Sequence, residues 1–193
     1  MRVLLIFCHP IEDSYHGALH RTARAALERA GHEVDDLDLY AERFDPVLSR
    51  EERLSYHDTA VNRRPVQAYV DRLLRAEALV LCFPVWCFGP PAMLKGFFDR
   101  VLIPGVGFSL RDGRIGPGLT EVRKLAAVVS YGQPRWRAFL AGDPPRKIVT
   151  RYLRFSTGLR TRVTYLAHYG MNVSTEATRC RFLARVEQEM AGF

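Results

Sequence analysis

The chain of 193 residues lacks any apolar run near the ~20 residues that a bilayer-spanning helix needs. Its opening apolar run, residues 3–7, is also too short for the apolar region of a secretory leader, since His9 and Glu12 follow closely. Cysteine is sparse: Cys8, Cys82, Cys87 and Cys180 form no C-x-x-C pair and no Cys/His cluster with zinc spacing. That argues against a disulfide framework or a metal centre and favours buried, reduced thiols in a cytoplasmic protein. No G-x-G-x-x-G follows a strand, which excludes the glycine-dependent pyrophosphate turn, and no phosphate-loop lysine is present. No helix-turn-helix, zinc-finger or RNA-binding signature occurs, so the net charge of +7 is not read as nucleic-acid binding. It reads as a solvated basic surface or as attraction for phosphate-bearing small molecules. Internal repeats and low-complexity tracts are absent.

What remains is ordinary globular composition, with 48% hydrophobic and 25% charged residues. The length suits one domain over residues 1–193. Residues 3–7 and 78–83 are apolar throughout, the mark of strands buried on both faces of a parallel sheet. Residues 33–39 alternate and read as a more exposed strand; residues 124–130 and 162–169 complete the set. Between them, Leu19, Ala23, Ala26, Leu27 and Ala30 recur at helical spacing before Gly31. Pro65 opens a helix with Tyr69, Val70, Leu73 and Leu74 on its apolar face. Further helices are expected over 91–102, over 136–140 and 146–153 on either side of a Pro-Pro break, and over 174–190. Asp112-Gly113 between short apolar pieces signals a small hairpin near 104–122. Strand–helix alternation of this kind demands a parallel sheet covered on both faces.

Ligands in such sheets lie outside the strands' carboxyl ends, where strand order reverses. Attention therefore falls on residues 8–15, 83–91 and 130–136. In the first, the unpaired N–H groups of a helix start, a Ser14 hydroxyl and the His9 imidazole suit a phosphate grip, stiffened by Pro10. Plain helix capping by Asp13 or Ser14, with His9 a satisfied loop residue, explains the same residues, and Asp13 would repel phosphate. In the second, Trp86 and Phe88 sit between Pro84 and Pro90-Pro91, which suits a platform for a flat aromatic ligand or mere loop packing.

Two stretches, His9-Pro10-x-x-x-Ser14-Tyr15 after the first strand and Phe83-Pro84-Val85-Trp86 with Pro91-Ala92-x-Leu94-Lys95-Gly96-Phe97-Phe98-Asp99-Arg100-Val101, carry a resemblance. The chain resembles the flavodoxin-like NAD(P)H:quinone oxidoreductases, the family of the DT-diaphorases and the bacterial modulators of drug activity. The likeness covers most of residues 1–130 and the remainder in outline. It implies an α/β flavodoxin-like three-layer sandwich, with a parallel sheet of about five strands in the order 2-1-3-4-5. It implies a flavin whose phosphates are held by His9, Ser14 and Tyr15, and whose ring is supported by Pro84, Val85, Trp86, Cys87 and Phe88. The family's usual Thr-Thr-Gly-Gly is here Ser130-Tyr131-Gly132-Gln133, which would face the ring. A Tyr/His relay in some members has no aligned counterpart within residues 138–145; Tyr131 and His168 are candidates by residue type. Lys95, Asp99 and Arg100 read as helix-surface and packing residues. The His-Pro opening favours FAD over FMN, its tail running past Ser14 along residues 41–62. The implied activity is ping-pong hydride transfer from NAD(P)H to quinones or similar flat acceptors, in a homodimer without metal, nucleic acid or membrane insertion. A flavodoxin-type electron carrier and an ancillary redox subunit of a cation-efflux system are the alternatives.

Overall fold

Strands with apolar residues on both faces are stable only when both faces are covered, and the computed structural model, which describes residues 1–111 (backbone only at Arg111) and 113–193, is built around that requirement. In chain order the strands are β1 (Arg2–Phe7), β2 (Glu33–Asp38), β3 (Ala78–Val85), the short pair β4 (Phe108–Arg111) and β5 (Arg114–Pro117), then β6 (Lys124–Tyr131) and β7 (Arg162–His168). The main sheet is parallel and ordered β2-β1-β3-β6-β7, so with the β4–β5 hairpin set aside the order is 2-1-3-4-5. The hairpin is antiparallel, with Phe108 opposite Pro117; Asp112, half of the turn signal, lies outside the described residues.

Two-residue alternation along each strand sorts the core into two layers. Leu4, Ile6, Leu79, Leu81, Phe83, Leu125, Ala127, Val129 and Tyr131 pack on one face. There they meet α3 (Gln67–Arg75) through Val70 and Leu73, and α4 (Ala92–Val101) through Leu94, Phe97 and Val101. Val3, Leu5, Phe7, Val80 and Cys82 face the other way. They pack on α1 (Tyr15–Arg29) and on the final helix (Glu176–Ala191) through Leu19, Ala23, Phe182 and Val186. A short helix, α2 (Arg50–Leu54), opens with a reciprocal Ser49–Glu52 capping box, and no helix of the described residues is long and apolar enough to cross a membrane.

Several expectations shift. β3 continues through Pro84 and Val85, two residues beyond the apolar run 78–83. The carbonyl of Cys82 accepts from the N–H of Cys8, so even-numbered β3 residues address β1. Pro84 faces that same side beyond Phe7, the last paired β1 residue, so its missing N–H breaks no ladder bond. Leu74, placed on an apolar face, is exposed, as is Ala30 at the end of α1. Of the four thiols only Cys8 and Cys82 are buried, and burial pushes Cys8 up to about 12; Cys87 and Cys180 are exposed, on a loop tip and on the outer side of the last helix. The Pro-Pro break instead begins a helix. After α5 (Arg135–Leu140), α6 (Pro144–Lys147) starts on the two prolines, whose missing N–H groups cost nothing in a first turn. It runs through a π-helical stretch, Ile148–Leu153, into α7 (Arg154–Thr157); the final helix is α8.

Candidate functional site

β1, β3, β6 and β7 all end at one rim, and the predicted residues gather there in two adjoining parts. The first is a cleft of about 390 Å³ between Val85, Trp86, Cys87 and Phe88 on one wall and Tyr131, Gly132 and Gln133 on the other. Its size falls in the range of small-molecule sites. Larger hollows of about 680 Å³ beside the hairpin and about 540 Å³ at the amino ends of β1 and β2 exist. Neither has aromatic walls at the carboxyl ends of the strands, so position rather than size selects the smaller cleft.

The Trp86 wall is made stiff by more than its prolines. Trp86 N–H donates to the Gly89 carbonyl at 3.0 Å, and Gly89 N–H returns a bond at 2.8 Å. Between them Cys87 and Phe88 both hold positive φ, 49° and 55°, as in a two-residue type I′ turn. Such turns favour Asn and Gly; Cys and Phe accept strain there, which is the kind of outlier that collects at ligand sites.

The opposite wall is held from behind. Tyr131, almost fully buried, donates its hydroxyl hydrogen to Asp143 at 2.6 Å and shares a 2.6 Å contact with the Tyr165 hydroxyl. Burial, then Tyr165 and Asp143, raise its pKa far above the usual phenol value. Its ring stacks on Tyr169 with centroids 4.6 Å apart. Gly170 N–H donates to the Gln133 carbonyl at 3.0 Å, tying the turn after β6 to the one after β7.

The second part lies where α1 begins. Ser14 is its N-cap, accepting from Gly17 N–H at 3.1 Å, so the capping role is occupied by Ser14 and not Asp13. His9 Nδ1 lies 3.1 Å from Ser14 Oγ, 3.1 Å from Ile11 N–H and 3.0 Å from the Ile11 carbonyl. Two of those neighbours are donors, which favours a bare Nδ1 and an N–H on Nε2. The His9 ring also stands 5.9 Å from Trp86 and 6.0 Å from His16, so it joins the two parts. Tyr15 contacts His168 Nδ1 through its hydroxyl at 2.9 Å; burial raises the Tyr15 phenol, and burial, helped by Arg179, lowers His168. Ser130 points into this part and not into the cleft, lying 3.2 Å from His16 Nδ1. Pro84 is buried in β3 and takes no part in the cleft lining.

The two relay candidates are therefore not a pair. Tyr131 belongs to the α4 face of the sheet, with its hydroxyl hydrogen committed to Asp143. His168 stacks on Phe182 of α8 across the sheet. Four residues escaped the sequence reading: His16, Asp143, Tyr165 and Arg179. His16 is the most informative. It is buried, its Nε2 has no hydrogen-bond partner, and burial first, then His9 and His20, push its pKa down to about 3. The only sequence signal for it was a histidine one turn before His20 on the apolar side of a helix. Among the described residues no cluster of His, Cys, Asp and Glu could hold a metal.

A parallel sheet in this order, with an aromatic cleft and a helix N-terminus side by side at its carboxyl rim, defines a doubly wound α/β protein of the class that binds ligands at its topological switch. The chain belongs to the family described by a flavodoxin-like fold, whose model matches residues 1–188. A Haemophilus influenzae protein named as an uncharacterized NAD(P)H oxidoreductase is 32% identical over 133 residues, covering 68% of this chain and 65% of that one. The chain spans between 58% and 65% of the length of three curated relatives that it matches. The NAD(P)H:quinone oxidoreductase from Methanothermobacter marburgensis superimposes with a TM-score of 0.85 at 26% identity, covering 99% of this chain and 98% of that one. An FMN-dependent NADH-azoreductase from Bacillus anthracis, solved in complex with FMN, has a TM-score of 0.78 at 14% identity over 99% and 98% of the two chains, a likeness of fold alone.

Proposed function

We propose that the protein is a flavin-dependent NAD(P)H oxidoreductase that reduces quinones or other flat aromatic acceptors, the whole chain acting as one flavin-binding unit. The observation that carries this is the joining, through His9, of a flat-walled apolar cleft to a helix N-terminus. The residues fit such a group. A planar tricycle suits the cleft between Trp86–Phe88 and Tyr131–Gln133, and a phosphate tail suits the α1 start. The buried Nε2 of His16 beside that start has no hydrogen-bond partner, whereas buried polar atoms in proteins are nearly all satisfied, which fits a polar group bound nearby.

When bound, the flavin would supply the hydride chemistry, accepting two electrons from NAD(P)H and releasing them to the second substrate. The chain does the rest. His9, Ser14 and Tyr15 hold the phosphate end, joined by His16, and Ser130 holds the His16 ring in place. Val85, Trp86, Cys87 and Phe88 form a stiff apolar face that would support the ring at the cleft mouth, where flat substrates can stack, which gives a taste for quinones and azo compounds without a polar recognition code. Gly132 and Gln133 offer backbone N–H groups toward charge that grows on a reduced ring. Tyr131 is a wall, and His168 with Tyr15 and Arg179 closes the phosphate side. FAD is the cofactor we favour, on the His9-Pro10 opening of the first loop, with its tail running past Ser14 along residues 41–62; FMN is the alternative. A second copy of the chain is proposed to close the cleft at α5, where Trp136, Phe139 and Leu140 are exposed.

The deciding experiment is the colour and mass of what the purified protein releases on denaturation. A yellow protein yielding FAD supports the full reading, and one yielding FMN keeps the activity and replaces the cofactor. Colourless protein that binds neither overturns it. Trp86→Ala should lower NAD(P)H:quinone turnover about tenfold, or about 1.4 kcal/mol, the scale of one aromatic stacking contact. Because Trp86 is 42% exposed, thermal unfolding should barely move. Unchanged turnover would take Trp86 out of the site.

A further inference from the structure

We propose that Asp143 is a positioning residue that fixes the Tyr131–Gln133 wall of the cleft by accepting the Tyr131 hydroxyl hydrogen, a role that rests on the oxidoreductase reading for its catalytic consequence. Asp143 stands at the N-cap of α6, where an aspartate ordinarily bonds the first free N–H groups of its helix. It makes no such cap, and Pro144 and Pro145 carry no N–H there for it to bond. Its carboxylate reaches instead to the end of β6, 2.6 Å from the Tyr131 oxygen. To do so its backbone is left-handed, with φ 45° and ψ 58°, directly after Gly142 at φ 80° and before Pro144. A non-glycine residue persists in that region only where its surroundings over-determine it.

The surroundings do so here. Asp143 N–H donates to the Ala138 carbonyl at 2.9 Å, and its own carbonyl accepts from Lys147 N–H at 3.1 Å, so α5 and α6 meet at this one residue. Tyr165 hydroxyl, 2.6 Å from that of Tyr131, has its hydrogen free to donate, because the Tyr131 hydrogen goes to Asp143. Arg146, one turn into α6, sits 4.9 Å over the Tyr165 ring and covers the group from the side. The chain of donors thus runs from Tyr165 to Tyr131 to Asp143. Its end pins the α5 segment, residues 134–143, against the strand that carries one wall of the cleft. The wall residues Gly132 and Gln133 follow Tyr131 directly, so freeing its ring frees them. Positioning, and not proton delivery into the cleft, is the role this hydrogen-bond direction supports.

Three variants of the full-length protein separate this role from ordinary turn geometry. Asp143→Gly relieves the left-handed strain but removes the acceptor. Asp143→Asn keeps an oxygen acceptor, and asparagine tolerates the left-handed region. Tyr131→Phe removes the donor. Hydrogen–deuterium exchange of peptides covering 134–143 should speed about tenfold in Asp143→Gly and in Tyr131→Phe, the scale of one hydrogen bond to a charged group. It should change by no more than about threefold in Asp143→Asn, whose neutral oxygen keeps the bond at reduced strength. With a simple naphthoquinone as acceptor, KM should rise about fivefold or more in Asp143→Gly and in Tyr131→Phe while kcat stays within about twofold, because the wall is loosened and the chemistry untouched. Wild-type exchange and KM in Asp143→Gly would overturn the proposal, and so would an Asp143→Asn variant as loose as Asp143→Gly. Wild-type protein that reduces no quinone would sink the activity reading alone, since the exchange pattern still decides the positioning role.

Discussion

On the proposed flavin-binding reading, replacing Gly17 with alanine is expected to leave the protein without its cofactor and to lower its unfolding free energy by about 3 kcal/mol, the upper range for forcing extra atoms into a packed site. A β-carbon at this position would stand 1.9 Å from the Glu12 carbonyl oxygen and 2.9 Å from its carbon, and both are backbone atoms that no rotamer change can move aside. The same carbonyl is held by Arg21 Nη1 at 2.9 Å, itself 3.3 Å from that β-carbon, and Gly17 N–H is the group that Ser14 caps. To admit the methyl group, the 9–14 loop must lift off the helix. That separates Ser14 from its cap and His9 from Ser14, the two side chains assigned to the phosphate end. Visible absorbance per mole of purified chain measures the first effect and urea unfolding the second. A yellow Gly17→Ala protein with wild-type stability would show that the loop tolerates retreat and that its contacts are not those of a phosphate grip.

Arg100→Ala should destabilise the chain by about 3–5 kcal/mol without touching the cleft, the range for stripping one partner from a buried ion pair. The sequence places Arg100 among the helix-surface and packing residues of α4, and the structure adds an ion pair. Its guanidinium bonds Glu52 Oε1 at 2.6 and 2.9 Å and the Asp45 carbonyl, and lies 5.5 Å over the Phe44 ring. The Arg100 side chain is 10% exposed and that of Glu52 11%, so removing the cation leaves a largely covered carboxylate without its main partner. Burial alone would raise the Glu52 carboxyl, yet the Ser49 N–H and Arg100 together hold it below its ordinary value. A depressed folded pKa gives stability that is complete above the unfolded glutamate value, about 4.3, and that fades as pH falls through the lower folded value. Wild-type protein should therefore lose this contribution only in acid below that value. In Arg100→Ala the difference from wild type should shrink there, because a protonated Glu52 no longer needs its partner. Chemical unfolding at neutral pH and near pH 3 measures both limbs. A difference that is equal at the two pH values would assign the loss to packing against Phe44.

The parts of this molecule that were legible in advance are those where one physical signal stands alone. Runs such as Val3-Leu4-Leu5-Ile6-Phe7 admit only a strand covered on both faces, and the motifs around Trp86 and Lys95 pointed to the same sheet order that the strands adopt. The parts that were hidden are those where a residue's usual preference is overridden by a distant partner. Pro84 reads as a strand stop, yet it continues β3 because β1 has already ended beside it. Pro144-Pro145 reads as a break between helices, yet it begins one. Cys87-Phe88 carries no turn chemistry at all, and its tight reversal is visible only in the paired bonds between Trp86 and Gly89. For the site, types and loops were readable while pairings were not. Ser130 followed His16 away from the cleft, Tyr131 followed Asp143, and His168 followed Tyr15, each by a contact at least a dozen residues away in the chain.

The sheet keeps its two apolar layers from touching, Leu94 and Phe97 on one side and Leu19 and Phe182 on the other. Substitutions drawn one from each layer should combine as simple sums, because they share no neighbour through which to interfere. Drift under α1 and α8 can then run its own course while the aromatic cleft keeps its lining, and an engineer can harden the former without renegotiating the latter.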